Sequence, residues 1–451
     1  MDTPICDFVR QYARGNTLRL HMPGHKGKTL LGMEQLDITE IQGADSLYEA
    51  EGIIRRSEEC ASRLFGCPTF YSTEGSSQCI RAMLYLVTLY ARERGIERPL
   101  IAAARNVHKT FLSAAALLDL DVQWLYPDEG EAYLSCDIRP EKLELYLAEC
   151  VRLPDAVYVT SPDYLGNVLD VERLAEVCHR YGVLLLVDNA HGAYLKFLPE
   201  SRHPIDLGAD LCCDSAHKTL PVLTGGAYLH ISPCAPALFR EQVKDALVMF
   251  GSTSPSYLIL QSLDAANSVL ANSDYRGQLA DRAFRLANCR ARLTACGIDA
   301  NNGNEPLKLT IAPRNYGYTG LELAGHLREN GIECEFADPD FLVLMFTPAI
   351  TEGDIRRLTD VLTALPRRSA IQTLPPVICR PQRAMSIREA AFAPREPLPV
   401  EECLGRILAA PSVGCPPAVP ILVCGERMDE ATRNCFAYYG ITTCTVVKES
   451  T

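Results

Sequence analysis

A series of short apolar runs between Leu100 and Ile231 limits what this chain can fold into. They cover Leu100 to Ala103, Val122 to Leu125, Ala156 to Thr160, Val183 to Val187, Leu211 to Cys213 and Ala227 to Ile231. Amphipathic stretches such as Phe111 to Leu118 and Val171 to Tyr181 lie between them. Strands buried on both faces and alternating with helices imply a mostly parallel sheet with helices on each side. In such sheets ligands sit beyond the carboxyl ends of the strands. That rule draws attention to Asp188, Asn189 and His191 after one run, and to Ser215, His217 and Lys218 after another.

The flanking regions are less regular. The first forty residues read as mixed and turn-rich, with the cluster His21-Met22-Pro23-Gly24-His25-Lys26-Gly27 built on a Pro-Gly turn. An amphipathic helix is expected from Ser57 to Phe65, ending near Gly66. Ile80, Met83, Leu84, Val87 and Tyr90 repeat at helical spacing, which places Gly75, Ser76 and Ser77 at a helix N-terminus. Residues 251–295 read as helical. A smaller part offers strands at Leu307 to Ile311 and Phe341 to Phe346 and a helix from Gly320 to Asn330. Pro366, Pro375, Pro376, Pro381, Pro394, Pro397 and Pro399 predict an extended linker, followed by a helix over Val400 to Ala409.

Composition narrows the function. At 451 residues and 47% hydrophobic the chain can bury a large core divided into two or three domains. The formal net charge of −12 speaks against nucleic acid or an anionic membrane as a partner and leaves room for a cationic substrate. Nineteen cysteines, with no CxxC pair and many inside apolar runs, read as reduced packed thiols rather than a disulfide or metal framework. The N-terminus lacks a signal pattern and no run reaches the roughly 20 apolar residues of a membrane span, so a cytoplasmic location and no membrane partner are expected.

Several residues at strand ends point together to pyridoxal 5'-phosphate. Lys218 offers an amine whose pKa falls on desolvation, which carbonyl addition needs, although a lysine after a strand is commonly a surface charge. Asp188 offers a carboxylate that would keep a pyridine nitrogen protonated, although Asp at a strand end is often a cap. Gly75, Ser76 and Ser77 present N–H groups and hydroxyls at the positive end of a helix, a seat for a phosphate that alone is only a good cap. His108 follows another strand and can lie flat on the ring; an isolated histidine is more often a structural hydrogen-bonder. The ordered set carries more weight than any member.

These residues resemble the ornithine/lysine/arginine decarboxylase family, in its short form without the receiver-like N-terminal domain. The likeness rests on His21 to Lys26, Asp37-Ile38-Thr39-Glu40, Gly43 to Gly66, Arg105-Asn106-Val107-His108-Lys109, Asp188-Asn189-Ala190-His191-Gly192, Ser215-Ala216-His217-Lys218, Ser252-Thr253-Ser254-Pro255 and Pro416-Pro417 to Gly425-Glu426. It implies an α/β architecture: a three-layer large domain of the aspartate aminotransferase type with a mostly parallel sheet, a smaller α+β domain and a small C-terminal domain. Boundaries are expected at 1–40, 41–285, 286–370 and 371–451. The resemblance implies that Lys218 forms the Schiff base, Asp188 meets the ring nitrogen and His108 stacks on the ring. Gly75, Ser76, Ser77, Ala190, His191, Ser215 and His217 would complete the cofactor site, and Ser252 and Thr253 would reach the phosphate of a neighbouring subunit in a homodimer. The implied reaction converts arginine, lysine or ornithine to its amine and CO2, with His108 or Lys218 returning a proton to Cα.

The chain departs from that pattern at Asn189, where the family usually has Glu, in the Thr73 to Ser77 loop, and at Tyr48 and Ala50. Asn189 and Glu74 motivate an alternative in which the cofactor is kept and the reaction is aminotransfer, elimination or aldol-type cleavage, or turnover is lost. Glu74 must point away from a phosphate or meet a cation. The acidic group for the substrate side chain is left open among Asp45, Glu51, Glu74 and Glu426; Asp45 and Glu426 are carried forward as candidates, with no metal expected.

Overall fold

A computed structural model of the protein describes residues 1–127, 133–410 and 419–449. Pro416 and Pro417 of the C-terminal motif lie outside the described residues. The chain divides into two compact units, one of Met1–Ile96 with Val171–Leu279 and the other of Glu97–Asp170 with Ala280–Thr451.

In the first unit, strand Leu184–Asp188 runs parallel to Leu211–Asp214, with Asp188 opposite Cys213. Leu211–Asp214 pairs antiparallel with Ala227–Ile231, and that strand pairs antiparallel with Thr69–Ser72. Two reversals make Thr69–Ser72 parallel to Leu211–Asp214, so Ser72, Asp188 and Asp214 all finish at one edge. Helix Ser76–Glu93 begins at that edge, after Gly75 at φ 72°. Helix Ile53–Phe65 starts a turn earlier than the apolar spacing predicts and stops at Gly66, whose φ of 73° accommodates the left-handed cap.

The turn-rich reading of the N-terminus is corrected by helix Pro4–Arg14. Proline at its first turn, Asp7 early and Arg14 late suit a helix, and Ile5, Cys6 and Val9 are buried. Its first-turn N–H groups are satisfied from far away: Asp264 accepts from Ile5 and Cys6 at 3.0 and 2.9 Å and from the Ser57 hydroxyl at 2.5 Å. No local side-chain cap marks this helix, which is why its start is not legible in sequence.

In the second unit, strand Leu100–Ala104 lies between Asp121–Leu125 and Ala156–Thr160, parallel to both. A separate antiparallel sheet orders Phe336–Ala337, Leu342–Met345, Lys308–Ala312 and Asp299–Asn302. Helices Gly320–Glu329 and Glu352–Thr363 start at capping boxes, Thr319 with Glu322 and Thr351 with Asp354.

The proline-rich segment is more than a linker, since it holds helix Ile387–Phe392 and strand Arg395–Pro399. Among the described residues that strand pairs only with Thr443–Val447, so the N–H groups its prolines lack need not serve a second neighbour. The helix expected over Val400 to Ala409 is a single 3-10 turn, Val400–Glu402. Ile407 and Leu408 instead bridge to Arg427 and Val446, so tertiary pairing overrides local spacing. Among the described residues, no helix is long and apolar enough to cross a membrane.

Replacing Asp264 by Ala strands three buried donors. Denaturant unfolding should show a loss of about 3 kcal/mol, and a loss below about 1 kcal/mol would mean that this carboxylate does not hold the N-terminal helix.

Candidate active site

Neighbouring parallel strands bring two of the predicted residues to one edge. Asp188 is the last residue of its strand, and Ser215 to Thr219 follow the adjacent one directly. Lys218 sits in a one-turn helix, Ala216–Thr219. Its Nζ lies 3.1 Å from His191 Nε2, so the Asp188 segment and the Lys218 segment touch through their side chains. Asp188 is 2% exposed; its Oδ1 accepts from the Ala190 N–H at 3.1 Å, with the Cys213 thiol at 3.7 Å.

The hydroxyl seat assembles at the same edge. Ser215 donates to Ser76 Oγ at 2.7 Å, joining the Lys218 turn to the first residue of an 18-residue helix. His217 is held by two bonds to Gly226, from its backbone N–H at 3.1 Å and at Nδ1 at 3.0 Å. Burial, assisted by the Lys218 charge, lowers the His217 pKa below the ordinary imidazole value and keeps the ring neutral. The Glu74 carboxylate accepts from the Ser252 N–H, while Ser252 and Thr253 themselves are exposed.

A buried polar network forms around Asp214, the last residue of strand Leu211–Asp214. Asp214 Oδ2 is 3.1 Å from the Nε2 atoms of both His203 and His230, and Asp214 Oδ1 accepts from Asn189 Nδ2 at 2.6 Å. All four residues are fully buried. Burial raises the Asp214 pKa, but the two histidines outweigh it and hold the carboxyl well below its usual range. Burial also lowers the His230 pKa below the ordinary imidazole value, against the pull of Asp214. The arrangement has the spacing of a metal cluster. However, His203 Nδ1 accepts from the Ile205 N–H at 3.4 Å, which puts the ring proton on Nε2 as a donor to Asp214.

In the second unit, His108 caps helix Lys109–Leu118, its Nδ1 accepting from the Thr110 N–H at 3.2 Å. The two residues suggested for the substrate side chain are committed elsewhere. Asp45 accepts backbone N–H groups of Ser46, Glu51, Gly52, Ile54 and Arg55 at the start of helix Ile53–Phe65. Glu426 pairs with Arg105 at 2.9 Å, both side chains 3% exposed.

Comparison with known proteins identifies the family. Residues 3–304 match the family model for the Orn/Lys/Arg decarboxylase major domain, and residues 366–446 match the model for its C-terminal domain. The chain belongs to the Orn/Lys/Arg decarboxylase family, and it is a decarboxylase. It is 31% identical to the arginine decarboxylase of Bacillus subtilis, over 95% of this chain and 92% of that protein. It is also 31% identical to the arginine decarboxylase of Halalkalibacterium halodurans, over 95% and 91%. The solved lysine decarboxylase of Francisella novicida has the same fold, with a TM-score of 0.80 at 17% identity over 99% of this chain and 81% of that one.

As a family member, the chain carries an amine, a buried carboxylate and a hydroxyl-lined helix start within one unit, a donor set that fits an aromatic aldehyde bearing a phosphate. The buried Thr219 hydroxyl, next to Lys218, has no hydrogen-bond partner among the described residues. The Asp214 network leaves one signal in the sequence: His230 lies inside the apolar strand Ala227–Ile231, where an unsatisfied imidazole is costly.

The network also sets a pH dependence. Asp214 and His230 both have native pKa values below their unfolded ones, so the unfolded chain binds more protons on acidification and stability falls. Thermal denaturation should therefore worsen as pH drops below the ordinary histidine value of 6.5. Asp214→Asn should cost about 3 kcal/mol at neutral pH and flatten that acid slope; an unchanged slope refutes the assignment.

Proposed function

We propose that this chain removes the α-carboxylate of a basic amino acid, arginine, lysine or ornithine, and releases CO2 and the corresponding amine, using pyridoxal 5'-phosphate. The observation that carries the reading is Lys218 and Asp188 on adjacent strand ends, joined through His191 at 3.1 Å. Family membership supports the reaction, and the names of the Bacillus and Francisella proteins support the substrate class.

Pyridoxal phosphate, when bound, supplies an electron sink for the pair left behind by CO2. Lys218 holds the cofactor through its amine, and His191 Nε2 shares the proton at Nζ. Asp188, buried and already ordered by the Ala190 N–H, holds the ring nitrogen in its protonated form. The N–H groups after Gly75, with the hydroxyls of Ser76, Ser77 and Ser215 and the neutral ring of His217, take the phosphate. Ala190 lines the turn beside Asp188. By the family resemblance His108 would stack on the ring and, with Lys218, would return a proton to Cα. Neither Asp45 nor Glu426 is put forward for the substrate side chain.

Ser252 and Thr253 serve the phosphate of a second copy in a homodimer. Support comes from Leu18, Leu20, Met22, Leu30 and Leu31, all exposed within one short stretch, an apolar surface of the kind that partners cover. A cytoplasmic setting is supported by the described cysteines, which are free thiols and mostly buried.

The test is incubation with an unbiased amino-acid mixture, product mass spectrometry and borohydride trapping. Wild type should form an amine that has lost CO2 and kept its nitrogen. Lys218→Ala should lose the borohydride-reducible linkage and about 10⁴-fold or more in turnover. A keto acid or ammonia as product, or a reducible linkage surviving in Lys218→Ala, overturns the reading.

A further inference from the structure

Helix Lys109–Leu118, which begins at His108, is gripped at both ends by the C-terminal segment. At its carboxyl end Arg388 Nη1 donates to the carbonyls of Ala116 and Leu117 at 2.9 and 3.0 Å, acceptors that a helix terminus leaves without internal partners. Ahead of its amino end, Arg105 Nη2 donates to Glu426 Oε2 at 2.9 Å and to the Ile421 carbonyl at 3.1 Å. The same Glu426 oxygen accepts from the Val423 N–H at 2.9 Å, and the Arg105 guanidinium lies 5.0 Å over the Trp124 ring.

A buried ion pair is weak evidence of stability, because desolvating both charges offsets most of their attraction. What it supplies here is placement. Each charge is tied to the backbone of the C-terminal segment as well as to its partner, and the Arg105 N–H is fixed to the Leu125 carbonyl at 3.0 Å. Three residues then lead to His108. With Nδ1 accepting from Thr110, the imidazole carries its proton on Nε2, so the ring plane decides where that proton points.

We propose that Glu426 and Arg105 are positioning residues for His108, through which the C-terminal segment determines the carbon that is protonated after CO2 leaves. This rests on the function proposed above. When the proton reaches Cα, the carbon–nitrogen bond stays with the substrate and the amine is released. When it reaches the former aldehyde carbon of the cofactor instead, the nitrogen stays with the cofactor and the substrate leaves as an aldehyde. Amino acid plus pyridoxal phosphate then balance as CO2, aldehyde and pyridoxamine phosphate, with no external oxidant.

The experiment uses wild type, Glu426→Gln, Glu426→Asp and the apolar double variant Arg105→Met/Glu426→Leu, each as full-length holoenzyme turning over its amino acid. Glu426→Gln should slow amine release by up to about a hundredfold, as for a misplacement of order 1 Å. It should also raise the aldehyde fraction and lose activity during turnover in a way that fresh pyridoxal phosphate restores. Glu426→Asp, which keeps the charge, should return the product ratio toward wild type. In cofactor-free protein, hydrogen exchange should rise over residues 105–112 and stay unchanged over 69–93. The double variant removes both charges and so avoids a stranded buried ion; it should fold and still misdirect the proton. A folded Glu426→Gln or double variant with the wild-type product ratio overturns the proposal. Wild type that yields no amine overturns the proposed function instead, so the two failures are distinct.

Discussion

The register between strands Leu184–Asp188 and Leu211–Asp214 is the constraint on which the site depends. Asp188 faces Cys213 across the ladder, so the residues that follow each strand must emerge side by side. A one-residue slip would turn every side chain of one strand to the opposite face and separate Asp188 from Lys218. Continuous burial on both faces gives no alternation to choose a register, and the polar groups at the strand ends supply the missing information. The Asn189 N–H meets the Cys213 carbonyl at 3.0 Å while its side chain meets Asp214 at 2.6 Å, and both bonds exist in one register only.

That fixing has an energetic cost. An ionised carboxylate at zero exposure is tolerated because donors surround it, two from histidines on different segments, one from Asn189 and a longer one from the Cys212 thiol at 3.8 Å. At position 189 a carboxylate would set a second anion against Asp214 in the same dry space, whereas the Asn189 amide donates. The departure from the family pattern at this residue is therefore consistent with the surrounding charge and gives no sign of a lost site.

Much of the fold is legible in the sequence, for a specific reason. Central parallel strands have nowhere to put polar residues, so Leu100 to Ala104 and Leu184 to Val187 appear as unbroken apolar runs. Residues that follow such runs stand out from the amino-acid order alone, and Lys218 and Asp188 are both selected in that way. Elements held by distant partners are hidden: helix Pro4–Arg14 is satisfied by Asp264, and Ile407 and Leu408 pair with residues that follow them. Asp45 and Glu426 show a further limit. A carboxylate suited to a cationic substrate looks identical in sequence to one that caps a helix or pairs with Arg105.

The proline-rich segment shows how composition can mislead about mechanics. Its prolines keep the backbone extended, which reads as a spacer. Its arginines bind throughout: Arg380 lies 4.8 Å over the Tyr126 ring, Arg383 meets Asp121 at 2.9 Å, and Arg388 takes the last carbonyls of helix Lys109–Leu118. Arg380 and Arg383 project from non-helical backbone and Arg388 from helix Ile387–Phe392, and a planar, multidentate cation suits ring faces, carboxylates and bare carbonyls alike. The segment therefore works as a strap across the strands and helix that carry His108. The buried pair of Glu426 with Arg105, further along the chain, adds a second hold just ahead of the helix that His108 caps.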